Sequence, residues 1–191
     1  MDQEFLELVA DSNIAVTVKD AGGYCVYANK AAEDLRGYGP GEMTDKHITE
    51  LAGSDPIIVE REFERFKREG VWIGQYPTRD PNGQLAYLRA CHFVHFESDG
   101  TPLYVSFTYP LSERNAFDRD GRVRLAQSGL TPHDICLAQL YVGGFTDEEV
   151  AILLGVGPEG VRDLAGALVS AVGASSKTEA CIRVLKSRLV V

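Results

Sequence analysis

Several signatures are missing from this chain, and each absence narrows the reading. There is no apolar run long enough to cross a bilayer, no CxxC pair, and no His at zinc-ligand spacing to the scattered Cys25, Cys91, Cys136 and Cys181, so neither a membrane span, a metal knuckle nor a disulfide framework is expected. No GxGxxG or GxxxxGK[ST] loop is present to cradle phosphates, no GxSxG elbow and no HExxH, so no enzymatic role is expected. The Gly pairs at 22–23 and 143–144 read as turns. Cations are scarce: 19 Lys and Arg face 28 Asp and Glu, a formal net charge of −9, which disfavours non-specific attraction to polyanions. The opening MDQEFLELVA is acidic and has no apolar core, unlike a signal peptide or anchor, so a cytoplasmic chain is expected. What is present is an ordinary apolar fraction in 191 residues, enough for two small domains.

Up to about residue 111 the pattern is one of short strands and turns. Ile14–Val18 and Cys25–Tyr27 flank Asp20-Ala21-Gly22-Gly23, a hairpin signal. Asn29 to Gly37 suits a short helix stopped by Gly. Ser54-Asp55-Pro56 opens another, with Val59, Phe63 and Phe66 at helical spacing, Lys67 and Arg68 in its last turn and Gly70 as its stop. Three strand-like runs follow, Val71–Thr78, Gln84–Phe96 and Pro102–Leu111, joined by Asp80-Pro81-Asn82-Gly83 and Glu97-Ser98-Asp99-Gly100. The pattern predicts an antiparallel sheet with helices on one face. The order of elements, with AVTVKDAGGYCVYANKAAEDLRGYGPGEM and the later DPNGQ and SDGTPLYVSF, resembles a PAS domain over residues 1–111, and Asp20, Asn29 and Gly37 stand where that family usually has them.

The resemblance implies a sensor or dimerisation domain with a ligand space between sheet and helices. An apolar pocket lined by Val26, Ile57, Phe63, Trp72, Tyr87, Phe93 and Tyr104 is the expectation, either holding a small organic molecule or filled by its own side chains. No cofactor is expected. The photoactive flavin site of the family needs a Cys in an Asn-Cys-Arg-Phe-type helix, whereas Asn29 is followed here by Lys30 and Ala31; Asp55–Glu69 has no axial His or Met for haem; and His92 and His95 point to opposite faces of one strand. In the first segment, Phe5, Leu8 and Val9 form one helical stripe, which is expected to lie at a homodimer interface.

Residues 112–129, SERNAFDRDGRVRLAQSG, are charged with few large apolar side chains and read as a linker. From Leu130 to Ala180 three short amphipathic segments are each opened by a cap: Thr131-Pro132-His133-Asp134, Thr146-Asp147-Glu148-Glu149 and Ser176-Lys177-Thr178-Glu179. The run LTPHDICLAQLYVGGFTDEEVAILLGVGPEGVRDLAGALVSAVGASSKTEA resembles, without a gap, the helix-turn-helix domain of LuxR-type transcription regulators, placing a four-helix domain over residues 130–191. The fold class expected for the whole is therefore α+β, a PAS sheet with helices followed by a helical domain.

Carried residue by residue, the resemblance puts Arg162 and Glu159 on the recognition helix, Thr146 at the start of the helix before it and Lys177 at the start of the helix after it, as candidate DNA contacts. Val161, Leu164, Ala165, Leu168 and Val172 fall on its core face; Glu159, Arg162, Asp163, Gly166, Ala167 and Ser170 are left for a groove. Where family members carry Ser, Thr and basic residues, this chain has Gly157, Gly160, Ala167 and Ala171. From Leu130 onward five Lys or Arg face seven Asp or Glu. Two functions are thus open: a PAS–LuxR regulator that binds DNA as a homodimer, or a regulator whose helix-turn-helix domain binds a protein partner.

Overall fold

The computed structural model describes Met1, residues 3–110 and residues 129–186. The chain divides into two compact units, Met1–Ala116 and Phe117–Val191. The linker expected over residues 112–129 lies, Gly129 apart, outside the described residues.

The first unit runs α1 Gln3–Ala10, β1 Ala15–Lys19, β2 Cys25–Ala28, α2 Lys30–Arg36, α3 Ile48–Leu51, α4 Pro56–Glu69, β3 Val71–Arg79, β4 Leu85–Phe96 and β5 Pro102–Pro110. Local chemistry explains the boundaries. The Asp20 carboxylate accepts the Tyr24 N–H at 2.9 Å, closing the β1–β2 turn. Asp55 accepts from Ile57 N–H, Pro56 fills the first turn, and Gly70 at φ 75° ends α4 in the left-handed conformation that costs glycine little.

The five strands pair antiparallel in the order β2-β1-β5-β4-β3, so the first and last strands lie side by side within the sheet. The registers Val16↔Phe107, Val18↔Val105, Phe93↔Val105 and Val71↔Phe93 gather those side chains on one face. Thr17↔Ser106, His92↔Ser106, Trp72↔His92 and Lys19↔Tyr104 gather another set on the opposite face. That second face is covered by α4, whose Phe63 and Phe66 rings lie 5.2 and 5.5 Å from Tyr104. From Leu103 to Thr108 every residue of β5 is buried, the mark of a strand covered on both sides.

The cover on the first face is α1, and here two expectations are corrected. Phe5 and Val9 are 0% exposed, and the Phe5 ring stacks 4.6 Å from His95. Phe5 and Val9 of the stripe expected at a homodimer interface are therefore spent within the unit, Leu8 staying half-buried, because a half-covered sheet offers them apolar area without a partner, about 1.5–3 kcal/mol for a buried Phe. Helices accordingly lie on both faces of the sheet rather than one.

The second unit has four described helices, α5 Pro132–Val142, α6 Asp147–Leu154, α7 Pro158–Ala171 and α8 Lys177–Lys186. Thr131 and Thr146 each form a capping box with Asp134 and Glu149, and Ser176 Oγ accepts the Glu179 N–H at 3.2 Å. Helix α5 packs on α6, α7 and α8, and α7 on α6 and α8. Ile135, Leu140, Val150, Leu153, Val161, Leu168 and Val184 are buried in this unit. Among the described residues no helix is long and apolar enough to cross a membrane.

Candidate functional site

Three of the seven residues expected to line a PAS pocket come together. Phe63 of α4 sits against Tyr104 of β5, and Trp72 of β3 lies on the same sheet face, 4.7 Å from the His92 ring. The other four are corrected. Phe93 shares the α1-covered face with Val105, and Tyr87, six residues before it on the same strand, has the same parity. Val26 and Ile57 are 37% and 76% exposed and line nothing inside. Val26 belongs to the edge strand β2, and Ile57 to the outer side of the first turn of α4.

The α4-covered face holds a polar group of residues that the aromatic pattern did not reveal. Lys19 Nζ donates to Ser106 Oγ at 2.8 Å and to Thr17 Oγ1 at 3.1 Å. Burial is the main cause lowering its pKa to about 8; the Cys25 thiol works against the shift and Arg36 adds to it. Arg36, in the last turn of α2, is 5% exposed and donates to Leu51 O, Thr78 Oγ1 and the Tyr76 hydroxyl, while its Nε has no partner. Burial, then Lys19 and Arg36, holds His92 well below the usual imidazole range, and its Nε2 is also without a partner. No described carboxylate forms an ion pair with Lys19 or Arg36. Glu33 turns its carboxylate to the Gly41 N–H. The Cys25 thiol, buried beside Met43 and Leu51, is pushed up chiefly by desolvation.

A sequence signal for this group existed. Thr17 and Lys19 alternate with the apolar Val16 and Val18, which reads as polar-out on a sheet with one wet face and becomes polar-in once both faces are covered.

In the helical unit, Glu159, Arg162, Asp163, Gly166, Ala167 and Ser170 of α7 are all exposed. Arg162 lies 3.4 Å from Glu159. Lys177 Nζ donates to Asp147 Oδ1 at 2.6 Å and sits 4.3 Å above the Tyr141 ring, whose hydroxyl also donates to Asp147. Thr146 Oγ1 accepts the Glu149 N–H as the cap of α6. Both candidate cations thus already face a carboxylate. Among the described residues, no group of three His, Cys, Asp or Glu is placed to hold a metal ion.

The first unit is similar in fold to several solved structures. A PAS domain from Desulfitobacterium hafniense matches with TM-score 0.51 at 14% identity, covering 55% of this chain and 99% of that one. A PAS domain from Colwellia psychrerythraea matches with TM-score 0.50 at 16% identity, covering 56% and 94%. A light-oxygen-voltage domain studied with a flavin analogue matches with TM-score 0.51 at 19% identity, covering 61% and 90%. No curated protein matches the chain. The family model described as PAS fold matches residues 9–116, more than half of the chain, and the chain therefore belongs to the PAS family.

Proposed function

We propose that this protein is a signal-responsive transcription regulator of the cytoplasm, in which the PAS unit senses and dimerises and the helical unit binds DNA as a helix-turn-helix domain of LuxR type. The observation that carries the reading is local. Two boxed helix starts, Thr131 and Thr146, precede an α7 whose Glu159–Ser170 face is open to solvent, and they fall where the gapless resemblance requires them. Such a helix reads base edges from its exposed face while the helix before it is anchored at the backbone. Arg162 is the cation on that face, and Lys177 lies at the start of α8.

Fluorescence anisotropy of the full chain on promoter-derived duplexes at 50–200 mM salt tests this. Arg162→Ala should abolish sequence preference, whereas Lys177→Ala should weaken all duplexes alike and reduce the salt slope by about one unit. Binding unchanged by Arg162→Ala would sink direct readout.

One observation favours the second reading, a protein-interaction module. The Arg162–Glu159 and Lys177–Asp147 pairs leave little free positive charge to neutralise phosphates. On that reading both Ala substitutions are silent, while Ala167→Glu on the exposed face of α7 breaks partner association. Failure of the chain to bind any duplex at low salt would decide for it.

A further inference from the structure

The α4-covered face of the sheet carries two cationic side chains, the buried Arg36 and the half-buried Lys19, whose charges no described carboxylate neutralises. Lys19 is held by two hydroxyls, and Arg36 by a carbonyl and two hydroxyls. Neither has a carboxylate, and they repel one another. Glu33 is turned to a backbone N–H, and Glu62 of α4 lies 3.7 and 3.9 Å from Arg61 and Arg65, its buried Oε2 without a hydrogen-bond partner. A charge held away from water without a counter-ion is unfavourable, and a group of such side chains in one place is a candidate functional site. Arg36 Nε and His92 Nε2 are buried, polar and unpartnered in the same group, where native interiors rarely leave such atoms.

The surroundings are aromatic. Phe66, Trp72 and Tyr76 all pack around the His92 ring, with Tyr104 beside Phe66. Trp72 folds flat along its strand over Gly74, where an added Cβ would lie 2.6 Å from the indole. Glycine there lets the indole lie along β3 as a wall.

We propose that this face is a receptor for a small organic anion, a carboxylate on an apolar body, with Lys19 and Arg36 as its cationic contacts and the Trp72–His92–Tyr104 surface against its apolar part. The proposal deepens the sensory half of the function above and rests on that half alone. The test reads ligand binding without DNA, so its failure and that of the DNA-binding reading are separable.

The experiment is isothermal titration of the full chain with benzoate and indole-3-acetate, with their neutral amides, and with inorganic phosphate. The acids should bind at least about tenfold more tightly than the amides, since a charge-assisted hydrogen bond contributes enough for that factor. Lys19→Met and Arg36→Gln should each remove about tenfold from the acids and leave the amides unchanged. Arg36→Lys, which keeps the charge, should retain the preference for acid over amide, and loss of that preference in a folded Arg36→Lys chain would count against a charge contact at this position. Titrations in buffers of different ionisation heat should show proton uptake above about pH 8, because an anion favours charged Lys19 over the neutral form that burial favours; Cys25, Arg36 and His92 are the titratable groups facing it. Equal affinity for acid and amide, or no response to either acid, would overturn the proposal. Phosphate binding tighter than both acids would overturn the assignment to a carboxylate.

Discussion

The two units handle charge in opposite ways. In the PAS unit the polar groups that define the architecture are buried: Asn29 is 2% exposed, Arg36 5%, His95 4% and Thr78 2%. In the helical unit, the buried Gln139 apart, the polar groups that define it are on the surface, as capping boxes and ion pairs at helix starts. Interior polar atoms lose their whole desolvation energy when a partner is removed, whereas surface ones fall back on water. The difference teaches where each unit is vulnerable. The sheet unit is specified by a few irreplaceable hydrogen bonds, and the helical unit by many small and separable ones.

The largest expected effect follows from Asn29. Its Oδ1 accepts from Val16 N–H and Ala32 N–H, and its Nδ2 donates to Val9 O and Ile14 O, all within 2.8–2.9 Å. Asn29→Ala orphans several buried backbone groups and should destabilise the chain by about 3–5 kcal/mol in urea unfolding. A loss under 1 kcal/mol, the level of a surface cap, would break the contrast between the units.

Next comes a pH effect confined to the sheet unit. The folded pKa of Lys19 lies near 8, below the ordinary 10.5, so between those values the unfolded chain binds more protons and stability contributed by this site rises with pH. Below about pH 8 both states are protonated and the full burial cost is present. The difference in unfolding free energy between native chain and Lys19→Met should therefore shift in favour of the native chain from pH 8 to pH 10. A difference that stays flat over this window would show that Lys19 is not sheltered.

A smaller effect is expected at Thr146, whose hydroxyl caps α6. Thr146→Ala should cost about 1 kcal/mol, and Thr146→Asn should restore most of it. The smallest is at Arg162, whose pair with Glu159 is 70% and 90% exposed on the two sides; Arg162→Ala should leave the melting temperature unchanged within error while removing the sequence preference of a DNA-binding α7. A marked fall in stability would mean that the α7 surface is covered.

Much of this was legible in the sequence, and the part that was not has a physical reason. Caps, turns and stops are local, so Asp20, Asn29, Asp55-Pro56, Gly70, Thr131 and Thr146 announced their elements correctly. The four-residue α3, closed by a His47 capping box, was too short to show a period. Faces were harder. Alternation told that His92 and His95 point oppositely, but which face lies under α4 is fixed by pairing across the sheet, and Phe93 and Tyr87 were assigned to the wrong side. The seat of α1 was missed for a related reason: an apolar stripe says that something covers it, not whether the cover is the chain's own sheet. The Lys19–Arg36 pairing of like charges joins β1 to α2 through the tertiary fold, and no spacing encodes it.

Asn29 has one more consequence. It is the last residue before α2, and Arg36 is the last residue within it; between them lies a single two-turn rod. At one end the rod is bolted to the Val9 carbonyl in the last turn of α1 and to the Ser12 and Ile14 carbonyls after it. At the other it grips Tyr76, Thr78 and Leu51 on the near side. The end of α1 and the α3–β3 side of the unit are thus tied to the two ends of one short helix, and α2 fixes their spacing as a strut fixes the spacing of two walls.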